Sequence, residues 1–165
     1  MRLILVCGLP GSGKSFFAKK LSAELHAVCY NSDILRKELF PLKRTYSEEE
    51  KKLVYTTLLS FVEKELKEKH TVVIDATFYQ NTLRIPFYKL AEQMNCPLSV
   101  IYLYADEKVV QERTSVTRED SEADYNVYLR LKNLFEPIDR PFISLTSERD
   151  NIHELIQSAL IQLHV

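Results

Sequence analysis

Glycine is scarce in this chain of 165 residues: there are 3, Gly8, Gly11 and Gly13, all at one bend. The most permissive backbone conformations are therefore concentrated at a single place. Cysteine is also sparse. Cys7, Cys29 and Cys96 are widely separated, and no pair has metal-ligand spacing. Cys7 and Cys29 fall in expected core strands, where a buried free cysteine packs as a small hydrophobe, and all three are expected to be reduced and structural. Charge of one sign is missing too: the formal net charge is −1 and the pI about 6.4. That balance excludes a global field towards nucleic acid or anionic membrane and leaves room only for a local basic groove. No apolar run is long enough to span a bilayer. There is no repeat, low-complexity tract or interdomain linker, and the 4 histidines have no partner at metal-binding spacing. A single soluble domain, cytoplasmic, with no membrane association and no identifiable protein partner, is the expectation. The N-terminus opens directly on a strand leading to the glycine bend, so its cleavage as a signal would remove that bend.

What the chain does have is Gly8-Leu9-Pro10-Gly11-Ser12-Gly13-Lys14-Ser15. It fits G-x-x-x-x-G-K-[ST], with the apolar run Leu3-Ile4-Leu5-Val6-Cys7 before it and a helical pattern after it. A chain of this length matches by accident about once in a hundred or less, before that context is counted. Successive N–H groups of such a loop turn inward as a nest for phosphate oxygens, and the following helix adds its N-terminal dipole. Lys14 reaches the β- and γ-phosphates as a point charge, and the Ser15 hydroxyl is placed to ligate Mg²⁺. The expected cofactors are ATP and Mg²⁺.

The remainder alternates between strand and helix. Arg2 to Cys7 reads as a buried first strand, and Lys14 to about His26 as a helix with Phe17 or Ala18, Leu21 and Leu25 inward. Ala27 to Tyr30 is a second strand, after which Asn31 or Ser32 caps a helix. Asp33 and Arg36, three apart, share a face of that helix. They sit where open α/β sheets place ligands, at the carboxyl end of a strand, and are candidates for handling a substrate hydroxyl; the plainer alternative is a local ion pair. Ser47 opens a long helix to about Lys69, with Val54, Leu58, Phe61 or Val62, and Leu66 apolar, and Glu48 to Lys52 read as solvated charge. Thr71 to Asp75 is a third strand, and its terminal Asp75 can hold the Mg²⁺ shell or orient a substrate hydroxyl. A helix to about Asn95 carries Pro86 near its start. Pro97 to Tyr104 is the fourth strand, and Asp106 to about Ser115 a helix. Ser121-Glu122-Ala123-Asp124 caps another helix, with Tyr125, Tyr128 or Leu129, and Phe135 as its stripe. Arg113 and Arg118 lie between these two helices, where a mobile cover could bring a guanidinium over the transferring phosphate. Pro141 to Leu145 is the fifth strand, and Ile152 to Leu163 the closing helix.

Taken in order, the loop from Gly8 to Ser15, Ser32-Asp33-x-x-Arg36, Asp75-Ala76-Thr77, the Arg113 to Arg118 hinge and the segment from Ser121 through Phe135-Glu136-Pro137 resemble the small predicted P-loop kinases of AAA type, a group similar to phage polynucleotide 5′-kinase, chloramphenicol phosphotransferase and zeta toxin. The resemblance implies an α/β fold, a three-layer parallel-sheet P-loop NTPase, nucleoside-kinase-like, with strand order 2-3-1-4-5 and a lid around 106–135. It implies ATP-dependent phosphoryl transfer to a hydroxyl of a small molecule or nucleic-acid end. Asp33 would accept the hydroxyl proton, Arg36 would bind substrate, and Arg113 with Arg118 would serve the lid. The chain departs from relatives at His70, where Gly is frequent, and at Phe78, where Asn is; Phe78 and Tyr79 would either stack on a base or sugar or pack. A nucleotide-hydrolysing switch that acts through a protein partner is the competing expectation.

Overall fold

The computed structural model describes residues 1–115 and 123–164. Its strands are β1 (Leu3–Cys7), β2 (Val28–Asn31), β3 (Val72–Asp75), β4 (Leu98–Tyr104) and β5 (Ile143–Thr146). They form one sheet in the order β2-β3-β1-β4-β5, and every pairing is parallel. This is the order the family resemblance implies. The helices are α1 (Lys14–Glu24), α2 (Ser32–Leu39), α3 (Glu48–Lys67), α4 (Asn81–Gln93), α5 (Glu107–Thr114), α6 (Tyr125–Leu134) and α7 (Ile152–Leu163).

Alternation along the central strand explains the layers. Side chains on a strand point to opposite faces in turn. Leu3, Leu5 and Cys7 of β1 therefore join one core with Val54, Leu58, Val62 and Leu66 of α3 and Phe87, Leu90 and Ala91 of α4. Ile4 and Val6 join the other, with Phe17, Ala18 and Leu21 of α1 and Leu155, Ile156, Ala159 and Leu163 of α7. Both faces of β1 are covered, which is why its run is unbrokenly apolar. The four-residue spacing on α3 resolves one open position: Val62 is buried and Phe61 is exposed. Each such aliphatic side chain adds roughly 1.5–3 kcal/mol on burial. Cys29 departs from expectation. It is exposed because β2 ends the sheet, where cover is incomplete.

One buried cation fixes the chain beyond α6. Arg84 of α4 is fully buried. Its Nη1 donates to the Phe78 carbonyl at 2.7 Å, and its Nη2 to the carbonyls of Glu136 at 3.0 Å and Pro137 at 2.7 Å and to the Asn81 side chain. Returning the tie, the Glu136 N–H donates to the Tyr79 carbonyl at 2.8 Å. The end of α6 is thereby pinned to the loop after β3. Among the described residues, no helix is long and apolar enough to cross a membrane.

Candidate active site

The glycine bend leaves β1 pressed against the neighbouring strand. A Cβ on Gly8 would stand 2.4 Å from the Leu103 carbonyl oxygen, so no side chain fits there. Gly13 has φ 85° and forms the N-cap of α1 without a side-chain acceptor. A left-handed residue at that point turns the loop into the helix, and the first N–H groups of α1 are left for phosphate oxygens. Arg113, at the end of α5, braces the loop from behind: Nη1 donates to the Gly11 carbonyl at 3.2 Å and the Ser147 hydroxyl at 3.0 Å, and Nη2 to the Glu148 carbonyl at 2.7 Å. Arg118 lies outside the described residues, as do Ser121 and Glu122. The cap of α6 is Asp124, whose Oδ1 accepts the Val127 N–H at 2.9 Å.

Three strand ends converge beside Lys14. β2 and β3 run in register with Asn31 opposite Asp75. The Asn31 side chain donates to Asp75 Oδ2 and, at 3.5 Å, to the Ser15 hydroxyl. Burial raises the Asp75 carboxyl above its ordinary range, against the opposing pull of the Lys14 charge and the Ser15 and Asn31 hydrogen bonds. The other oxygen, Oδ1, is buried and has no hydrogen-bond partner among the described residues. A desolvated carboxylate oxygen left unsatisfied next to a hydroxyl is a hard oxygen donor set of the kind Mg²⁺ takes. Ser15 and Asp75 thus suit the ion that a triphosphate brings with it.

Asp33 stands in the first turn of α2, where the helix dipole favours a negative charge. Its carboxylate has no hydrogen-bond partner among the described residues. Lys14 and Asp33 line one cavity of about 480 Å³. It is also lined by Pro10, Ser32 and Thr77 and by Arg36, Thr45, Tyr46, Glu48, Lys51, Tyr55 and Tyr79. From α6, Val127, Arg130, Leu131 and Leu134 complete the lining.

Arg36 corrects one expectation. Its carboxylate partner is not Asp33 but Glu50, at 2.6 Å, with both side chains buried. Glu50 was expected in a solvated charge run. Instead it also accepts the Thr45 N–H at 2.7 Å, the Thr45 hydroxyl at 2.8 Å and the Tyr46 N–H at 3.2 Å. Burial pushes the Glu50 carboxyl up, but the Arg36 and Thr45 hydrogen bonds outweigh it and hold the group at about 2. The Arg36 guanidinium lies over the Tyr46 ring at 4.8 Å, and its Nε is buried with no hydrogen-bond partner among the described residues. Lys51, from the same run, donates to Glu48 at 2.7 Å and to the Tyr79 hydroxyl. Phe78 packs rather than facing the cavity. It is fully buried, edge-on to Tyr55 and Phe87 at ring separations of 5.5 and 5.4 Å. Tyr79, its neighbour, lines the cavity.

A parallel sheet in this order, with a phosphate loop after β1 and a carboxylate, Asp75, at the end of the adjoining β3, defines a nucleoside-kinase-like P-loop NTPase. A family model described as an AAA domain matches residues 3–138, and the chain belongs to that family. An L-seryl-tRNA(Sec) kinase of Methanococcus maripaludis is 26% identical over 145 residues, covering 84% of this chain and 53% of that protein. The chain thus spans about half the length of the curated relative it matches. Among solved structures, a sugar kinase from a Janibacter species superposes with a TM-score of 0.76 at 19% identity, over 100% of this chain and 95% of that one. The APS kinase of Mycobacterium tuberculosis, in complex with AMPPNP and APS, gives 0.71 at 18% identity, over 99% and 98%. At these identities the superpositions carry the fold.

Proposed function

We propose that the chain is an ATP-dependent phosphotransferase that moves a γ-phosphoryl group to a hydroxyl of a small molecule or a nucleic-acid end. The observation that carries this reading is the cavity shared by Lys14 and Asp33, whose carboxylate has no hydrogen-bond partner among the described residues. The kinases among its relatives support it, as does the family. The loop from Gly8 to Ser15 would hold the phosphates through its backbone N–H groups, with Leu9 and Ser12 part of that cradle and Pro10, which has no N–H, fixing the bend. Lys14 would lie against the transferring group. Ser15 and Asp75 would hold Mg²⁺, whose charge offsets that of the phosphates. Arg36, anchored by Glu50 and flat against Tyr46, would bind the acceptor.

The acceptor oxygen would form a bond to the γ-phosphorus while the bond from that phosphorus to the β–γ bridging oxygen breaks, with the proton passing to the Asp33 carboxylate and ADP leaving. Little covalent chemistry is asked of the protein, so positioning and charge carry most of the rate. Arg113 would serve through the loop it braces at the Gly11 carbonyl, and Arg118 would be the cation that stabilises charge on the moving group.

A screen of metabolites and oligonucleotides with ATP labelled at the γ position tests the reading. Transfer of label to one class of hydroxyl compound, abolished by Lys14→Ala, is the expected result. Release of inorganic phosphate with every acceptor unlabelled, together with a protein partner that distinguishes the ATP from the ADP state, would support a switch instead. An oligonucleotide acceptor would add a steep fall of binding with salt.

A further inference from the structure

Asn31 ends β2 and begins α2, and both ends of its side-chain amide are committed. Oδ1 accepts the backbone N–H groups of Asp33 at 2.8 Å and Ile34 at 2.9 Å. Two donors on that side fix which end of the amide is oxygen, because the reversed group would set an NH₂ against two N–H groups. Nδ2 is consequently turned to Ser15 Oγ and Asp75 Oδ2. The geometry points to Asn31 as a positioning residue: one rigid planar amide sets the Ser15–Asp75 pair, on one side, in a fixed relation to the helix end that carries Asp33, on the other.

The inference rests on the phosphotransferase reading and adds to it a residue that touches neither nucleotide nor acceptor. Sheet register alone brings the Asn31 and Asp75 backbones level but does not orient their side chains. The amide supplies that orientation, holding Oδ2 while Asp75 Oδ1 has no hydrogen-bond partner among the described residues. An ordinary helix cap needs only the oxygen. Serine caps as well as asparagine. It lacks the second arm, so a plain capping role and a bridging role make different predictions for the same substitution.

Asn31→Ser and Asn31→Ala in the full chain separate the two. Thermal unfolding reads the cap, and binding of ADP in the presence and absence of Mn²⁺, by calorimetry, reads the bridge. Asn31→Ser is expected to melt above Asn31→Ala, since both lose the donor to Asp75 but only the serine keeps the cap. ADP without metal should bind within about three-fold of the wild type, but the gain in affinity that Mn²⁺ confers should shrink by about 10–100-fold, the usual loss when the hydrogen-bond partner of a metal-binding carboxylate is removed. Asn31→Ala should lose both stability and that gain. A wild-type Mn²⁺ gain in Asn31→Ser overturns the inference and leaves Asn31 a cap. So does a drop in melting temperature as large as that of Asn31→Ala. The readout needs neither acceptor nor turnover, so failure to find a phosphorylated hydroxyl would count against the phosphotransferase reading while leaving the Mn²⁺ contrast interpretable.

Discussion

Asp33→Asn is expected to lower turnover by about 10²–10⁴-fold, the range that a positioned proton acceptor contributes, while ATP affinity stays within about three-fold. The substitution keeps the shape of the side chain and removes its basicity. Asp33 is suited to such a test because its side chain has no structural duty among the described residues: the cap of α2 is Asn31, and the Asp33 backbone N–H is the group being capped. Removing the charge weakens a favourable interaction with the helix N-terminus by about 0.3–1 kcal/mol, too little to unfold the chain. Steady-state kinetics with the acceptor from the labelling screen give kcat, and calorimetry gives nucleotide affinity. A base predicts a large loss in the first and almost none in the second. Equal losses in both would assign Asp33 to nucleotide binding and remove the proposed proton acceptor.

The parts of this site that were legible in the sequence share one property: each is fixed by its neighbours in the chain. The loop from Gly8 to Ser15 is a contiguous motif. Asp33 and Asp75 follow apolar strands directly, so their place at the carboxyl edge of the sheet comes with the strands. Periodicity likewise gave the inner faces of α3 and α7, because four-residue spacing is a local property of a helix. What stayed hidden depends on distant turns. Glu50 sits among Glu48, Glu49, Lys51 and Lys52, a run that looks solvated on any helical wheel. It is drawn inward by the Thr45 and Tyr46 N–H groups and by Arg36, fourteen positions earlier. A glutamate three residues after Ser47 was a usable signal, since a capping box turns that side chain back towards the preceding loop. Here Ser47 caps the Glu50 N–H as expected, but the carboxylate continues past it to Thr45. Phe78 and Tyr79 could not be separated by pattern, since neighbours in a loop have no period. A left-handed Phe78, at φ 50°, sends one ring into the core and leaves the next beside the cavity.

Glu50→Ala should be the most destabilising of the single substitutions considered, by about 3–5 kcal/mol, because it strands the Arg36 guanidinium in a buried position without its counter-charge. The same change leaves the Thr45 N–H, the Thr45 hydroxyl and the Tyr46 N–H without their shared acceptor, so the turn into α3 loosens together with α2. For a chain of this length each kcal/mol lowers the melting temperature by about 2–4 °C, so a fall of roughly 10 °C is expected. The exposed pair Glu63–Lys67 provides the comparison: Glu63→Ala should cost well under about 1 kcal/mol. The effect also has a pH signature. Glu50 is held at about 2 in the folded chain against an ordinary 4.5, so the stability it contributes is fully present above about 4.5 and is lost as pH falls towards about 2. The gap in unfolding free energy between wild type and Glu50→Gln should accordingly be wide at neutral pH and narrow progressively below about 4.5. Where the variant folds, a loosened Arg36 should raise the acceptor KM more than it lowers kcat, since a guanidinium in the proposed acceptor-binding role would hold acceptor and transition state alike. A Glu50→Ala protein that melts with the wild type, or a gap that does not change with pH, would mean that the Arg36–Glu50 contact holds neither the α2–α3 corner nor the wall of the cavity.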